Sequence, residues 1–292
     1  MTYEELWREG TEVLTAGQVP DAALDARYLL LEAFDLDMTH FLLDRSRPLA
    51  DSREAAKNAA HYRELVGRRA RRIPLQQILG TQDFCGLTFR VTEEVLIPRQ
   101  DTETLVEQVL ADCPDPELAV LDLCTGSGCI AVSLAKLGGY RQVDAADLSE
   151  EALQLARENA AAQGTDITFY QGDLFAALPA GRSYDILVSN PPYIPSAVIE
   201  ELEPEVREHE PRMALDGAAD GLSFYRRIAG EAGPYLRQGG RIYLEIGYDQ
   251  GEAVSRLFAG QGFDKIRVLK DLAGHDRIVT AVKESREEAT HV

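Results

Sequence analysis

The chain has 292 residues, of which 45% are hydrophobic and 27% are charged, and this composition is typical of a soluble globular protein. No apolar stretch is long enough to span a bilayer, so we expect no membrane association. The formal net charge of −19 opposes general binding to the phosphate backbones of DNA or RNA, and we expect no direct nucleic-acid partner. The first residues, Met1–Leu6, lack the basic and apolar regions of a signal peptide, which predicts a cytoplasmic protein.

The cysteine and histidine content argues against a metal site. None of the four cysteines forms a C-x-x-C pair, and no histidine stands at ligand spacing. We therefore predict no bound metal and a reduced compartment.

The first 80 residues have the pattern of a small helical bundle, which we take as a domain, 1–80, for substrate recognition. Apolar residues recur there at helical spacing with almost no β-branched alternation. Residues 81–97 mix apolar side chains with Gly86, Thr88 and Thr92, which predicts a β-hairpin or extended linker.

Strand and helix patterns alternate over 98–284, which predicts an α/β domain with a mostly parallel, seven-stranded, Rossmann-like sheet and helices on both faces. Residues 285–292 are polar and predict a flexible tail. The predicted strands are 118–123, 142–146, 166–170, 184–189, 240–246, 265–269 and 277–282. The predicted helices are 102–110, 129–137, 150–162, 223–236 and 250–259.

A glycine-rich turn follows the first strand of this domain and predicts a cofactor site. Gly126 and Gly128 stand where a strand turns sharply into a helix, and glycine there lets a ligand touch the backbone. Asp147 ends the next strand, where a carboxylate accepts hydrogen bonds from ribose hydroxyls. Asp173 follows the third strand and is placed to meet an adenine amino group, with Leu174 or Phe175 packing on the ring.

Two cofactors compete for this turn. Gly126, Gly128 and Ala131 match the dinucleotide pattern G-x-G-x-x-G/A, which is a weak signal by itself. Asp122, inside the strand, is better placed to face the positive amino group of S-adenosylmethionine than a pyrophosphate. We therefore favour S-adenosyl-L-methionine, with S-adenosyl-L-homocysteine as product, over NAD.

The tetrapeptide Asn190-Pro191-Pro192-Tyr193 follows the strand 184–189 and predicts a clamp for a planar NH2 group. Asn190 Oδ1 and a backbone carbonyl, that of Pro191, accept the two N–H hydrogens and aim the nitrogen lone pair at a methyl donor. The prolines lack N–H donors and keep Asn190 extended. Tyr193 stacks on the flat group. The transferred nitrogen loses its proton after methylation, so no general base of matched pKa is required.

Several stretches, in order from about residue 5 to 283, resemble the protein-(glutamine-N5) methyltransferases that modify bacterial peptide chain release factors, the HemK/PrmC family. The similar stretches are Pro74-Leu75-Gln76-Gln77-Ile78-Leu79-Gly80, Ile97-Pro98-Arg99-Gln100-Asp101-Thr102-Glu103, Asp122-Leu123-Cys124-Thr125-Gly126-Ser127-Gly128, the Asn-Pro-Pro-Tyr turn, Glu210-Pro211-Arg212 with its continuation to Leu222, and Asp271-Leu272-Ala273-Gly274-His275-Asp276-Arg277. Two positions depart from the family pattern. Cys124 stands where many members have glycine, and Gln100 replaces a proline.

The resemblance implies methylation, with S-adenosylmethionine, of the glutamine in the Gly-Gly-Gln tip of class 1 release factors, in support of translation termination. It implies that Asn190 and the carbonyls of its turn hold the glutamine amide. It also implies that a set of residues lines the cofactor pocket: Cys124, Thr125, Gly126, Ser127, Gly128, Asp147, Asp173, Leu174 and Asn190. We expect a monomer.

Three other classes of function stay open on the sequence, and an NAD oxidoreductase is the weakest of them. A nucleic-acid amino (adenine N6) methyltransferase shares the Asn-Pro-Pro-Tyr turn, although the acidity of the chain argues against it. A noncatalytic module with a cofactor fold would tolerate loss of Asn190.

Two charged clusters and one acidic residue are also left with more than one interpretation. The arginines of 68–72 contact the release factor or form a solvated helix end, and the glutamates of 200–210 form a flap over the substrate or a solvated face. We expect Glu245, at a strand end, to be structural.

Overall fold

The computed structural model describes residues 1–284, and the predicted tail, 285–292, lies outside the described residues. The helices are α1 (Tyr3–Ala16), α2 (Ala22–Phe34), α3 (Met38–Asp44), α4 (Arg53–Ala70), α5 (Leu75–Leu79), α6 (Gln100–Asp112), α7 (Cys129–Ser133), α8 (Glu150–Gln163), α9 (Ser196–Ile199), α10 (Pro204–His209), α11 (Ser223–Glu231) and α12 (Gly251–Gly260). The strands are β1 (Thr81–Phe84), β2 (Leu87–Arg90), β3 (Ala119–Leu123), β4 (Gln142–Asp147), β5 (Thr168–Gln171), β6 (Tyr184–Ser189), β7 (Leu236–Glu245), β8 (Phe263–Lys270) and β9 (Asp276–Lys283). Among these residues no helix is both long and apolar enough to cross a membrane.

The described chain divides into two compact units. The first contains Met1–Thr81 together with Glu203–His209, and the second contains Gln82–Leu202 and the residues from Glu210 onward. The segment Glu203–His209, which carries α10, therefore belongs to the first unit although it lies far along the chain from α1–α5.

The first unit is helical, as the apolar spacing of its sequence predicts. Its core is formed by fully buried side chains that include Leu6, Leu29, Leu30 and Tyr62. Ser52 caps the N-terminus of helix α4, because its hydroxyl accepts the backbone N–H of Ala55.

Ion pairs hold α10 in the first unit. The Arg69 guanidinium lies 2.7 Å from Asp25 Oδ2 and 2.8 Å from Glu205 Oε1, and its side chain is only 7% exposed. Arg72 lies 2.5 Å from Glu205 Oε2. The sequence suggested a substrate contact or a solvated surface for each of the two charged clusters. Neither describes these residues, because Arg69, Arg72 and Glu205 bind one another within this unit. The sequence could not reveal this pairing, since more than 130 positions separate the arginines from the glutamate.

The second unit is built on the seven-stranded sheet that the alternating pattern predicts, preceded by the β1–β2 hairpin. The strand order is β5-β4-β3-β6-β7-β9-β8, and β9 is antiparallel to both of its neighbours. Strand β3 is buried at all five positions, which accounts for its apolar residues, and Asp122 is its single polar residue. The α/β, Rossmann-like fold class is confirmed.

Two predicted helices end earlier than expected. Helix α7 ends at Ser133, and the chain continues as a π-helical turn over Leu134–Gly138. Helix α11 ends at Glu231 rather than at residue 236, because Gly233 and Pro234 interrupt the helical pattern. The chain then enters β7 at Leu236, four residues before the predicted strand.

The sheet topology decides where a ligand can bind. Strand β3 pairs with β4 on one side and with β6 on the other, so the order of the strands reverses at β3. Ligands of open α/β sheets bind outside the carboxyl ends of strands at such a switch point. The loops that follow β3, β4 and β6 meet there.

Candidate active site

The loop after β3 turns sharply because three of its residues adopt left-handed backbone conformations. These are Cys124 (φ 58°), Gly126 (φ 55°) and Gly128 (φ 80°). A Cβ at Gly128 would come within 3.0 Å of the Ala156 Cβ atom on α8, so glycine is required there for packing. Cys124 carries a side chain in a conformation that favours glycine, which gives the family departure at this position a structural consequence.

Asp147, at the end of β4, holds this loop. Its Oδ2 accepts the N–H of Gly126 at 2.8 Å, and its Oδ1 accepts the N–H of Ser149 at 3.0 Å. Burial raises the pKa of Asp147, and the backbone hydrogen bonds oppose that rise. Each carboxylate oxygen keeps a lone pair for a further donor.

Asp122 lies beneath the loop and is fully buried. Its Oδ2 accepts the Thr125 hydroxyl at 2.6 Å and the Ala131 N–H at 3.2 Å, while its Oδ1 is buried without a hydrogen-bond partner among the described residues. Burial raises the pKa of Asp122 to about 7, and the charge of Asp147 adds to that rise. Asp122 thus ties the loop to the first turn of α7.

A cavity of about 380 Å³ opens between the loops that follow β3, β4 and β6. It contains most of the residues expected at a cofactor site, but Asp122 and Gly128 are not on its wall. The residues of the cofactor prediction that line it are Cys124, Thr125, Gly126, Ser127, Asp147, Asp173, Leu174 and Asn190. The placement of Asp122 therefore does not support a direct contact between its carboxylate and a methionine amino group.

The wall that carries Asp173 includes two residues from α11. Asp173 Oδ1 lies 2.9 Å from the Arg227 guanidinium, and both Arg227 and Phe224 line the cavity. Leu174 adopts a left-handed backbone (φ 52°) and is 5% exposed. Neither Phe224 nor Arg227 is indicated by the sequence, because helix α11 carries no motif of its own.

Only half of the Asn-Pro-Pro-Tyr turn faces the cavity. Asn190 and Pro192 are on its wall, whereas Pro191 and Tyr193 are not. The Tyr193 hydroxyl donates to Glu245 Oε1 at 3.2 Å, inside the protein. The structure thus places the Tyr193 ring behind the cavity wall and does not support the predicted stacking on a substrate.

A hydrogen-bonded chain connects Asn190 to a buried carboxylate. Asn190 Nδ2 donates to Thr102 Oγ1 at 3.3 Å, and the Thr102 hydroxyl donates to Glu245 Oε2 at 2.6 Å. Glu245 is 1% exposed, and burial raises its pKa while Thr102, Arg277 and Tyr193 lower it. Glu245, which we expected to be structural, is therefore linked to Asn190 through a single side chain, that of Thr102.

The cavity mouth carries a wall that the motifs did not indicate. Pro211, Met213, Ala214 and Asp216 line it, and the Met213 side chain is half exposed. This wall belongs to the stretch after Glu210, which the sequence had singled out without a role.

Two family models match the chain. The "PrmC N-terminal domain" matches residues 5–80, and the "Methyltransferase small domain" matches residues 100–202.

Curated relatives match nearly the whole chain. The release factor glutamine methyltransferase of Geobacter sulfurreducens is 46% identical and covers 94% of this chain and 93% of its own length. The enzyme of the same name from Caulobacter vibrioides is 40% identical and covers 97% of both chains.

The chain belongs to the release factor glutamine methyltransferase family.

Solved structures of methyltransferases share the fold of this chain. A methyltransferase from Pyrococcus furiosus has a TM-score of 0.54 at 17% identity and covers 75% of this chain and 98% of its own. The 16S rRNA N2 G1207 methyltransferase of Thermus thermophilus, solved with AdoMet and guanosine, has a TM-score of 0.51 at 19% identity and covers 70% and 50%. The release factor glutamine methyltransferase family thus shares its sheet with methyltransferases of other names.

Proposed function

We propose that this protein transfers a methyl group from S-adenosylmethionine to the side-chain amide nitrogen of the glutamine in the Gly-Gly-Gln tip of class 1 peptide chain release factors. The observation that carries the proposal is that Asn190 shares one cavity with the glycine loop and Asp147. An amide clamp and a nucleoside site therefore face the same space. The name and full-length similarity of the curated relatives support the same substrate.

The residues of the cavity fit S-adenosylmethionine. Asp147 has two oxygens that are each half satisfied by backbone N–H groups, which leaves one acceptor on each for the two hydroxyls of a ribose. Gly126 has open space where a side chain would stand, so a ligand can approach the backbone. Asp173 and the apolar Leu174 would hold the adenine. When bound, the cofactor supplies a methyl carbon activated by a sulfonium.

Asn190 would perform the positioning that an amide nucleophile needs. An amide nitrogen is a weak nucleophile because its lone pair is delocalised, so orientation and polarisation matter more than a strong base. Asn190 Oδ1 accepts one N–H of the glutamine amide, and a backbone carbonyl of the same turn accepts the other; Pro192, rather than the predicted Pro191, is the proline on the cavity wall. These two acceptors fix the plane of the amide and increase the electron density on its nitrogen. The buried prolines keep competing donors away from the amide.

The two units would have different roles in the reaction. The second unit contains the chemistry, and we propose that the first, helical unit recognises the body of the release factor, as its "PrmC N-terminal domain" match suggests. The net charge of −19 makes direct nucleic-acid binding unfavourable, so the partner is a protein. We propose that the protein acts as a monomer in the cytoplasm, where translation terminates.

A methyl-transfer assay tests the substrate class. The full-length protein is incubated with labelled S-adenosylmethionine and, in separate reactions, with a class 1 release factor, with the same factor carrying Gln→Glu in its Gly-Gly-Gln tip, and with double-stranded DNA. We expect label in the first reaction only. Label in DNA would favour a nucleic-acid amino methyltransferase, and label in the Gln→Glu factor would place the methyl group on another residue.

A further inference from the structure

Glu245 is a buried acidic side chain that the proposed mechanism does not use. It ends β7, its side chain is sealed from solvent, and both of its carboxylate oxygens accept hydroxyl groups, one from Thr102 and one from Tyr193. Burial of a carboxylate is costly unless it is hydrogen bonded, so the bonds from Thr102 and Tyr193 make this acceptor usable inside the protein.

The direction of the hydrogen bonds shows what that use is. A carboxylate has no hydrogen of its own, so each hydroxyl that reaches Glu245 must donate to it. Thr102 has a single hydroxyl hydrogen, and it points to Glu245 Oε2 at 2.6 Å. The Thr102 oxygen is then left with lone pairs only, and the group that meets it from the other side must be a donor.

Asn190 is the group that meets the Thr102 oxygen from the other side. The Asn190 carboxamide has an acceptor end and a donor end of nearly equal shape, and only the donor end, Nδ2, can face the Thr102 lone pairs. With Nδ2 committed to Thr102, Oδ1 is the end left for the cavity that Asn190 lines. The reverse orientation would present an NH2 group to the NH2 group of a substrate amide, which is donor against donor.

We propose that Glu245 and Thr102 are positioning residues that set the orientation of the Asn190 carboxamide, so that its oxygen faces the substrate nitrogen. The bond from Tyr193 to the second oxygen of Glu245 holds the far end of the same turn. This inference rests on the proposed function, because it assigns a purpose to an acceptor aimed at an amide nitrogen. Glu245 is not on the cavity wall, so it acts on the substrate only through the side chains of Thr102 and Asn190, whereas Thr102 lines the cavity and orients Asn190 from there.

Kinetics of matched variants test the proposal. Thr102→Val keeps the shape of the side chain and removes the hydroxyl, and Thr102→Ser restores it. With a class 1 release factor as substrate, we expect Thr102→Val to lower kcat by about tenfold to a hundredfold, as for an unsatisfied buried polar group. We expect Thr102→Ser to recover kcat to within about threefold of the parent. The affinity for S-adenosylhomocysteine, measured by titration, stays at the parental value in both.

Thr280→Val is the control for a loss of a buried threonine hydroxyl. Thr280 is 4% exposed on β9, and its hydroxyl meets Arg267 rather than the cavity. We expect parental kcat in this variant. A parental kcat in Thr102→Val would overturn the proposal, and so would a kcat loss that Thr102→Ser fails to restore.

Two further measurements keep the test decisive. If Thr102→Val does not fold, Glu245→Gln is measured instead. The amide of this variant can donate to Thr102, which frees the Thr102 hydroxyl hydrogen to point toward Asn190. A parental kcat in Glu245→Gln would overturn the proposal. Exchange of the Asn190 side-chain NH2 protons, followed by NMR, needs no substrate. We expect slower exchange in the parent than in Thr102→Val, and equal rates would overturn the proposal. A parent that is inactive on release factor while its NH2 protons are protected would count against the proposed function alone.

Discussion

Arg99 and Glu210 form an ion pair in which Arg99 Nη2 lies 2.5 Å from Glu210 Oε1. The Glu210 side chain is 1% exposed, and its second oxygen is buried without a hydrogen-bond partner among the described residues. Burial raises the pKa of Glu210, and the charge of Arg99 opposes that rise. Arg99 and Pro211, the neighbour of Glu210, both line the cavity, so this pair anchors the wall at its mouth.

Loss of this anchor should affect substrate capture more than turnover. Glu210→Gln keeps the size of the side chain but replaces a charge-assisted bond with a neutral one, which is roughly half as strong. We expect the KM for release factor to rise by about 3- to 10-fold with little change in kcat, a cost of about 1 kcal/mol. Steady-state kinetics measure this change. Glu252→Gln, an exposed substitution on α12, serves as the control, and an equal KM rise in both variants would contradict the assignment.

The buried carboxyl of Asp122 should make stability depend on pH. Its pKa is about 7 in the folded protein, against about 3.9 for an unperturbed aspartate. The folded state therefore holds this proton over a range in which the unfolded state has lost it, so the contribution of Asp122 to stability falls as the pH rises from about 4 to about 7. Asp122→Asn removes the penalty while an amide oxygen can still accept both hydrogen bonds. We expect the variant to gain at least about 1 kcal/mol relative to the parent at pH 8, and much less at pH 5.

Urea unfolding at the two pH values measures this gain. Asp264→Asn, at an exposed position on β8, should show no such difference between pH 5 and pH 8. A gain in Asp122→Asn that is equal at both pH values would contradict the account. Titration of the same variant with S-adenosylmethionine tests the contact predicted from the sequence, and because Asp122 is off the cavity wall we expect affinity within about threefold of the parent.

The left-handed backbone of Cys124 should be a source of strain. A side chain in this region costs about 1–2 kcal/mol relative to glycine. We therefore expect Cys124→Gly to raise the free energy of unfolding by about 1 kcal/mol. Cys124→Ala keeps the Cβ atom and should bring no gain. Thermal unfolding of both variants checks this, and an equal gain from alanine would show that the thiol, rather than the backbone conformation, is responsible.

The ion pairs of Arg69 should stabilise the first unit. Removing one partner of a buried pair leaves the other charges uncompensated, which costs about 3–5 kcal/mol. Arg69→Met leaves Asp25 and Glu205 without this guanidinium, although Arg72 still reaches Glu205. Trp7, the single tryptophan of the chain, lies in this unit, so its fluorescence follows the unfolding of the unit in urea.

The matched control for this prediction is Arg71→Met, because Arg71 is exposed at the end of α4. We expect the midpoint of the Trp7 transition to fall in Arg69→Met and to stay near the parental value in Arg71→Met. Equal midpoints in the two variants would show that the buried pairs contribute nothing measurable.

The sequence predicted the parts of the site that depend on local conformation. The turn around Gly126 and Gly128 and the tetrapeptide from Asn190 to Tyr193 are short motifs whose backbone demands can be recognised residue by residue. Their meeting at one edge of the sheet follows from the alternation of strands and helices. The fold class was predictable for the same reason.

What the sequence did not reveal depends on long-range packing. Thr102 and Glu245 are 143 positions apart, and no sequence motif around either residue predicts a hydrogen bond between them. The burial of Asp122 beneath its loop, and the turning of Tyr193 toward Glu245, are decided by side-chain orientation rather than by motif. The placement of Glu203–His209 in the first unit likewise follows from ion pairs that bridge distant parts of the chain.

Mass spectrometry of a proteolysed class 1 release factor, after incubation with S-adenosylmethionine and either the parent protein or Asn190→Ala, tests the central claim most directly. We expect one added methyl group on the side chain of the Gly-Gly-Gln glutamine with the parent, and a strongly reduced yield with Asn190→Ala while cofactor binding stays mostly intact. A methyl group on any other residue, or equal yields from the two proteins, would contradict the account.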